Sequence, residues 1–106
     1  LEDYLWSWLI VTIGKAVTAR TQLLTTQSMN IQPSGASEEW VIHNIIVPFG
    51  GSCELYATDG TNNIKMMNLS MSINVEFHPT NDHYYTVKNV GSTTIYVGYD
   101  GLITQE

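Results

Sequence analysis

Three histidines, a single cysteine and ten acidic residues are the side chains of this 106-residue chain best equipped to hold a metal or move a proton. His78 and His83 flank the turn Pro79 to Asp82, and Asp82 is within reach as a third ligand for zinc or copper. No dense ligand motif surrounds them, so no metal and no other cofactor is expected. His43 lies in Trp40-Val41-Ile42-His43-Asn44-Ile45, where alternation puts it on the strand face opposite Trp40, Ile42 and Asn44, as a hydrogen-bonded strand histidine. Ser34, in Pro33-Ser34-Gly35, lacks the flanking pattern of a nucleophile elbow. Cys53, alone, excludes an internal disulfide and any multi-cysteine zinc or iron–sulfur site. In Ser52-Cys53-Glu54-Leu55-Tyr56 it shares a face with Leu55 and Ala57 and reads as a buried thiol. Glycoside hydrolysis needs two carboxyl groups held across a cleft. Here Asp59 and Asp100 belong to Asp-Gly turns, Asp82 to a loop, and Glu38 and Glu39 to the approach to a strand. No phosphate-cradling glycine loop or dinucleotide fingerprint occurs. No catalytic residue is assigned, and the chain is expected to bind or build rather than to catalyse.

The binding cluster is aromatic. Tyr84 and Tyr85 follow Asn81-Asp82-His83, and Tyr96 and Tyr99 lie on the next strand beside Asp100. Tyrosine combines an apolar face with a hydroxyl, which suits it to stacking on and hydrogen-bonding to sugars. Tyr84, Tyr85, Tyr99 and Asp100 are therefore the candidate glycan-binding residues. The competing reading packs Tyr84 and Tyr96 into the core and turns Tyr85 and Tyr99 outward as cross-strand pairs.

The elements that position these residues read as strands. From Ala19 onward, short alternating or β-branched runs are separated by Gly, Pro, Asn and Asp. The runs are Arg20 to Ile31, Trp40 to Val47, Ser52 to Thr58, Asn63 to Met67, Ser70 to Phe77, Tyr84 to Asn89, Thr94 to Tyr99 and Leu102 to Thr104. About eight strands in so short a chain mean an antiparallel sandwich or barrel. Asp59-Gly60 and Asp100-Gly101 accept the positive φ of tight hairpin turns, and Gly50-Gly51 and Asn89-Val90-Gly91-Ser92 offer further breaks. Pro33-Ser34-Gly35 and Pro79-Thr80-Asn81-Asp82 separate other runs, and no proline falls inside one.

Before these strands stands a different texture. Glu2 and Asp3 suit a helix N-terminus, Gly14 a stop, and Lys15 and Arg20 the basic side beyond it. Leu1, Leu5, Trp8, Leu9 and Thr12 form a stripe at helical spacing, while Tyr4, Trp6, Ile10 and Val11 make the other side apolar too. A small domain covers one face of such a helix, so the rest is expected to meet another copy or another protein, with Leu1, Leu5, Trp6, Trp8, Leu9 and Ile10 as assembly contacts. The alternative is a β-strand, since Trp6, Trp8, Ile10 and Val11 are good strand formers. The run Tyr4 to Ile13 is shorter than the ~20 residues that span a bilayer and lacks the basic flank of a signal peptide, so no membrane partner is expected. Residues 1–18 are assigned to this assembly segment and 19–106 to the β-domain. Met66, Met67, Leu69, Met71 and Ile73 form a second apolar stretch, read as core filling or as an exposed patch at a subunit contact.

Composition limits the partners. Charged residues are 13% of the chain, about half the ~25% of an average domain, so the surface is largely uncharged polar. Four basic against ten acidic side chains give a net charge of −6, which argues against direct nucleic-acid binding.

Three stretches together resemble small β-sandwich virion proteins of tailed bacteriophages: Glu39-Trp40-Val41-Ile42-His43-Asn44-Ile45, Glu54-Leu55-Tyr56-Ala57-Thr58-Asp59-Gly60-Thr61-Asn62, and His83-Tyr84-Tyr85-Thr86-Val87-Lys88-Asn89 through Tyr99-Asp100-Gly101. The resemblance covers roughly Gln32 to Thr104. It implies an all-β, jelly-roll-like sandwich, commonly a homotrimer, fixed on a capsid or tail surface of the virion by contact with the major capsid protein or another virion protein. The function it implies is capsid decoration or cement, with a glycan-reading adhesion module of a fibre or tail as the alternative.

Overall fold

The computed structural model describes residues 14–105. The assembly contacts Leu1, Leu5, Trp6, Trp8, Leu9 and Ile10, and the helix expected there, lie outside the described residues. Eight strands follow: β1 (Ala16–Leu23), β2 (Ser28–Ile31), β3 (Glu39–Ile46), β4 (Cys53–Thr58), β5 (Asn63–Leu69), β6 (Ile73–Phe77), β7 (Tyr84–Asn89) and β8 (Ile95–Gln105). Ala16, Val17 and Thr18, assigned from sequence to the N-terminal segment, are strand residues.

The strands form two four-stranded antiparallel sheets, β1-β8-β3-β6 and β2-β7-β4-β5. The pairings β1 with β8, β2 with β7, β3 with β6 and β4 with β5 nest inside one another, as when one long hairpin is rolled over on itself. That is the jelly-roll arrangement, and the expected all-β sandwich is what forms. Alternation builds the core: in β2, Met29 and Ile31 are buried while Ser28 and Asn30 are exposed. Ile42, Ile45 and Val97 of one sheet meet Ile31, Leu55 and Val87 of the other, all essentially without solvent contact. Burying each such side chain contributes about 1.5–3 kcal/mol. Cys53, with Leu55, lies in this core as its strand pattern indicates, and burial pushes its thiol pKa up.

Two boundaries differ from the sequence reading. Arg20 to Ile31 is not one strand: it breaks at Leu24–Gln27, where Thr26 takes φ 73°. The Gln27 side chain accepts from the Leu24 amide, and the Thr26 amide donates to the Asn89 carbonyl at 2.9 Å. Conversely, Thr94 to Tyr99 and Leu102 to Thr104 are one strand, because Asp100-Gly101 does not turn. Gly101 lies inside β8 between Val17 of β1 and Ile42 of β3. A Cβ there would run into the Val41 carbonyl oxygen, so the glycine serves close strand approach and not chain reversal. Asp59-Gly60 does make its hairpin. Gly60 has φ 90°, and the Asp59 carboxylate accepts the amides of Thr61 at 2.9 Å and Asn62 at 2.7 Å.

A bulge in β3 sets the outer face of the first sheet. Ile42 pairs with Gly101 and Asn44 with the adjacent Asp100, which leaves His43 as the extra residue. Alternation breaks there, so Ile42 and Ile45 both point into the core, His43 is exposed, and Asn44 joins the outer face.

Candidate functional site

The hairpin turn after β4 and the start of β7 enclose a hollow of about 300 Å³ at one end of the sandwich, lined by Ala57, Asp59, Asn62, Ile64, His83, Tyr84 and Tyr85. Pairing of Thr58 with Tyr84 and of Ala57 with both Tyr85 and Ile64 brings these side chains together. Tyr85 faces inward and stacks on Phe77, with ring centroids 4.1 Å apart and planes 9° from parallel. Its neighbour Tyr84 necessarily leans the other way, half-buried at the rim. The hydrogen bonds to Asn62 and Thr61 hold the Asp59 carboxyl below the usual carboxylate range. The anion is thereby tied to its own turn, and the wall beside it is largely aliphatic and aromatic.

Tyr99 and Asp100 are not part of this hollow. They belong to β8, in the other sheet, and Tyr99 points into the sandwich, where it stacks on Trp40 with centroids 6.0 Å apart. Desolvation pushes its phenol pKa up. Asp100 faces outward and accepts a 2.7 Å hydrogen bond from Nδ2 of the Asn44 side chain. The four tyrosines thus take the reverse of the expected packing arrangement: Tyr85 and Tyr99 turn in, while Tyr84 is at the rim and Tyr96 is 66% exposed. Parity counted from apolar character inverts here, because tyrosine is apolar enough for either face.

His78, Asp82 and His83 also part company. The His78 imidazole lies 3.5 Å from the Glu39 carboxylate. The turn between them closes on itself, the Thr80 amide donating to the His83 carbonyl and the His83 amide to the Thr80 hydroxyl. Among the described residues no three His, Cys, Asp or Glu side chains come together as a metal-holding group.

The second surface of note is β5, an edge of its sheet. Six of its seven residues are exposed, Ile64, Met66 and Met67 among them, and Met71 and Phe49 extend the strip beyond its end, where the Gly50 amide donates to the Ser70 carbonyl. Of the second apolar stretch, Leu69 is core, whereas the three methionines occupy an exposed strip. On the outer face, Lys65 pairs with Glu54 at 2.7 Å and the Tyr56 hydroxyl donates to the same carboxylate at 2.6 Å. Lys65 and then Tyr56 hold the Glu54 carboxyl below its ordinary range. Sequence reasoning did not place Ile64 or Asn62 in a site, since only the strand order shows that the β4–β5 turn sits beside the start of β7.

No protein-family model and no curated protein sequence matches the chain. Among solved structures, the chain is similar to the nucleoplasmin-like N-terminal domain of Drosophila FKBP39, at 8% identity and a TM-score of 0.53, over 84% of this chain and 89% of that one. The core of Drosophila NLP matches at 15% identity and a TM-score of 0.47, over 85% and 99%. A Bacillus endospore appendage protein matches at 10% and 0.44, over 88% and 91%. The first of these likenesses establishes the sandwich fold.

Proposed function

We propose that this chain is a structural protein of a tailed-phage virion, a capsid decoration or cement module that acts by contact and performs no catalysis. The observation that carries the reading is the strip of exposed apolar side chains along β5, from Ile64 through Met66 and Met67 to Met71 and Phe49. Exposed apolar side chains gathered along one strand, rather than scattered singly over the surface, mark an interaction site. The apolar residues 1–13 and the low charge of the chain point the same way. In this reading the N-terminal residues engage a neighbouring copy or the major capsid protein, and the sandwich is displayed on the particle.

Co-sedimentation of the purified chain with tailed-phage capsids lacking a decoration protein tests the proposal. The expected result is saturable binding to the full chain and loss of binding on deletion of residues 1–13, with an unchanged far-UV circular dichroism spectrum for the sandwich. The deletion stops there because β1 starts at Ala16. Full binding by the truncated chain would remove the N-terminal residues from this role.

The hollow beside Tyr84 supports a second reading, glycan binding by an adhesion module. Tyr84, His83 and Asn62 surround an opening large enough for one sugar ring. Binding on a glycan array that Tyr84→Ala abolishes and Tyr96→Ala leaves intact would favour it.

A further inference from the structure

We infer that β5 is a self-pairing edge: two copies join antiparallel through this strand across a two-fold axis, fusing their β2-β7-β4-β5 sheets into one continuous sheet of eight strands. The inference deepens the assembly reading by naming one partner, a second copy of this chain.

The argument starts from the four sheet edges, β1, β6, β2 and β5. An edge strand presents unpaired amides and carbonyls, and proteins usually blunt it with charge, brevity or cover. In β1, β2 and β6 every second residue is at least half-buried, so the opposite sheet covers their inner faces. In β5 it does not. Cross-strand partners share a face, so Ile64 opposite Ala57, Met67 opposite Leu55 and Leu69 opposite Cys53 all belong to the inner face. Yet Ile64 is 68% exposed and Met67 44%. The only charge on the strand, Lys65, sits on the outer face and is already neutralised by Glu54. The edge is therefore neutral and apolar, and no other described residue pairs with its free side.

The register follows from the face pattern. A two-fold axis normal to the sheet keeps inner faces together only if Ile64 meets an inner residue of the second copy. Pairing Ile64 with Leu69 of that copy does so, and it sets Lys65 against Asn68, Met66 against Met67, and Asn63 against Ser70. The bulge at Met66 makes this possible, because it shifts the strand's alternation by one residue between Ile64 and Met67. A one-residue slip would place Ile64 opposite the outward Asn68. A slip of two residues toward the start of the strand sets the outward Lys65 against Met66 and brings both Lys65 side chains beside the axis. The chosen register uses the whole strand and separates them. Ile64, Met66, Met67, Met71 and Phe49, 44–88% exposed in each copy, form the apolar part of the contact, and with the strand between them approach the ~800 Å² per partner of a standard specific interface.

Mass measurement of the full chain at micromolar concentration tests this with two variants, Met66→Lys and Met67→Glu. Each should halve the wild-type mass with the circular dichroism spectrum retained, since each puts a charge against an apolar partner. Mixing the two should restore the wild-type mass, because the heterotypic pair sets the introduced ammonium of one copy against the introduced carboxylate of the other across the axis. Retention of the wild-type mass by both variants, or failure of the folded mixture to regain it, would overturn the inference. Loss of self-pairing by variants that still sediment with capsids leaves the particle reading intact, whereas self-pairing without capsid binding sinks that reading and not this one.

Discussion

The two Asp-Gly dipeptides, alike in sequence and opposite in structure, make a paired test of the fold. Gly60 sits in a hairpin turn at φ 90° with open space where a Cβ would be, so Gly60→Ala costs only the left-handed strain of an L-residue, about 1–2 kcal/mol. Gly101 is in the interior of β8. An added Cβ there would collide with the Val41 carbonyl oxygen and stand 2.9 Å from both the Val41 carbonyl carbon and Ile42 Cα, all of them backbone atoms that cannot swing aside. Relief requires β3 and β8 to part beyond their ~4.8 Å spacing. Overpacking costs about 1–3 kcal/mol, and each ladder hydrogen bond opened adds about 1 kcal/mol. Gly101→Ala should therefore cost about 3–4 kcal/mol, lowering Tm by roughly 15–20 °C where Gly60→Ala lowers it by roughly 5–10 °C, at about 5 °C per kcal/mol within the range for a domain of this size. Urea unfolding followed by tryptophan fluorescence, with m unchanged, measures both. Equal costs for the two variants would refute the placement of Gly101 within the sheet.

Asn89 is fully buried and ties three backbone groups together, donating to the carbonyls of Leu23 and Thr93 and accepting from the Gly91 amide. Asn89→Ala leaves all three unpartnered and should cost about 3 kcal/mol in the same unfolding assay, a loss near zero counting against the staple. Asp59 has a folded-state pKa below its unfolded value, so its contribution to stability is complete above the unfolded pKa, ~3.9, and disappears as pH falls through the folded value. The stability difference between wild type and Asp59→Asn should accordingly shrink as pH is lowered from about 5; a pH-independent difference contradicts the turn's anion role. Cys53, buried with its thiol pKa raised, should label with a thiol reagent at about pH 8 only as fast as the protein opens, and labelling at the free-thiol rate would contradict its burial.

The sequence carried the centres of most strands, because residues of β4 and β7 alternate and Asp59-Gly60 has turn chemistry of its own, while the count of eight agrees only because one run spans both β1 and β2 and two runs divide β8. What it could not carry depended on partners distant in the chain. Asp100-Gly101 reads as a turn until Val17 and Ile42 are known to flank Gly101. Leu24–Gln27 contains neither glycine nor proline, and its turn is held by Asn89, more than sixty residues away. The β3 bulge shifts alternation at His43, so parity counted from Trp40 fails at Asn44. Of the candidate glycan residues, Tyr84 and Tyr85 were legible as neighbours, while the separation of Tyr99 and Asp100 from them depended on which sheet β8 joins.

The nested pairing of the strands has a consequence for synthesis. Of the eight strands β8 leaves the ribosome last, yet it is an interior strand of its sheet, with β1 on one side and β3 on the other. Until it emerges, β1 has no partner among the described strands, and β3 lacks one of its two. The sheet therefore closes only after β8 has been made, through contacts that join distant parts of the chain, and such long-range closure places folding on the millisecond-to-second scale. A nascent chain halted anywhere before Ile95 holds a half-built sandwich with its apolar inner faces bare.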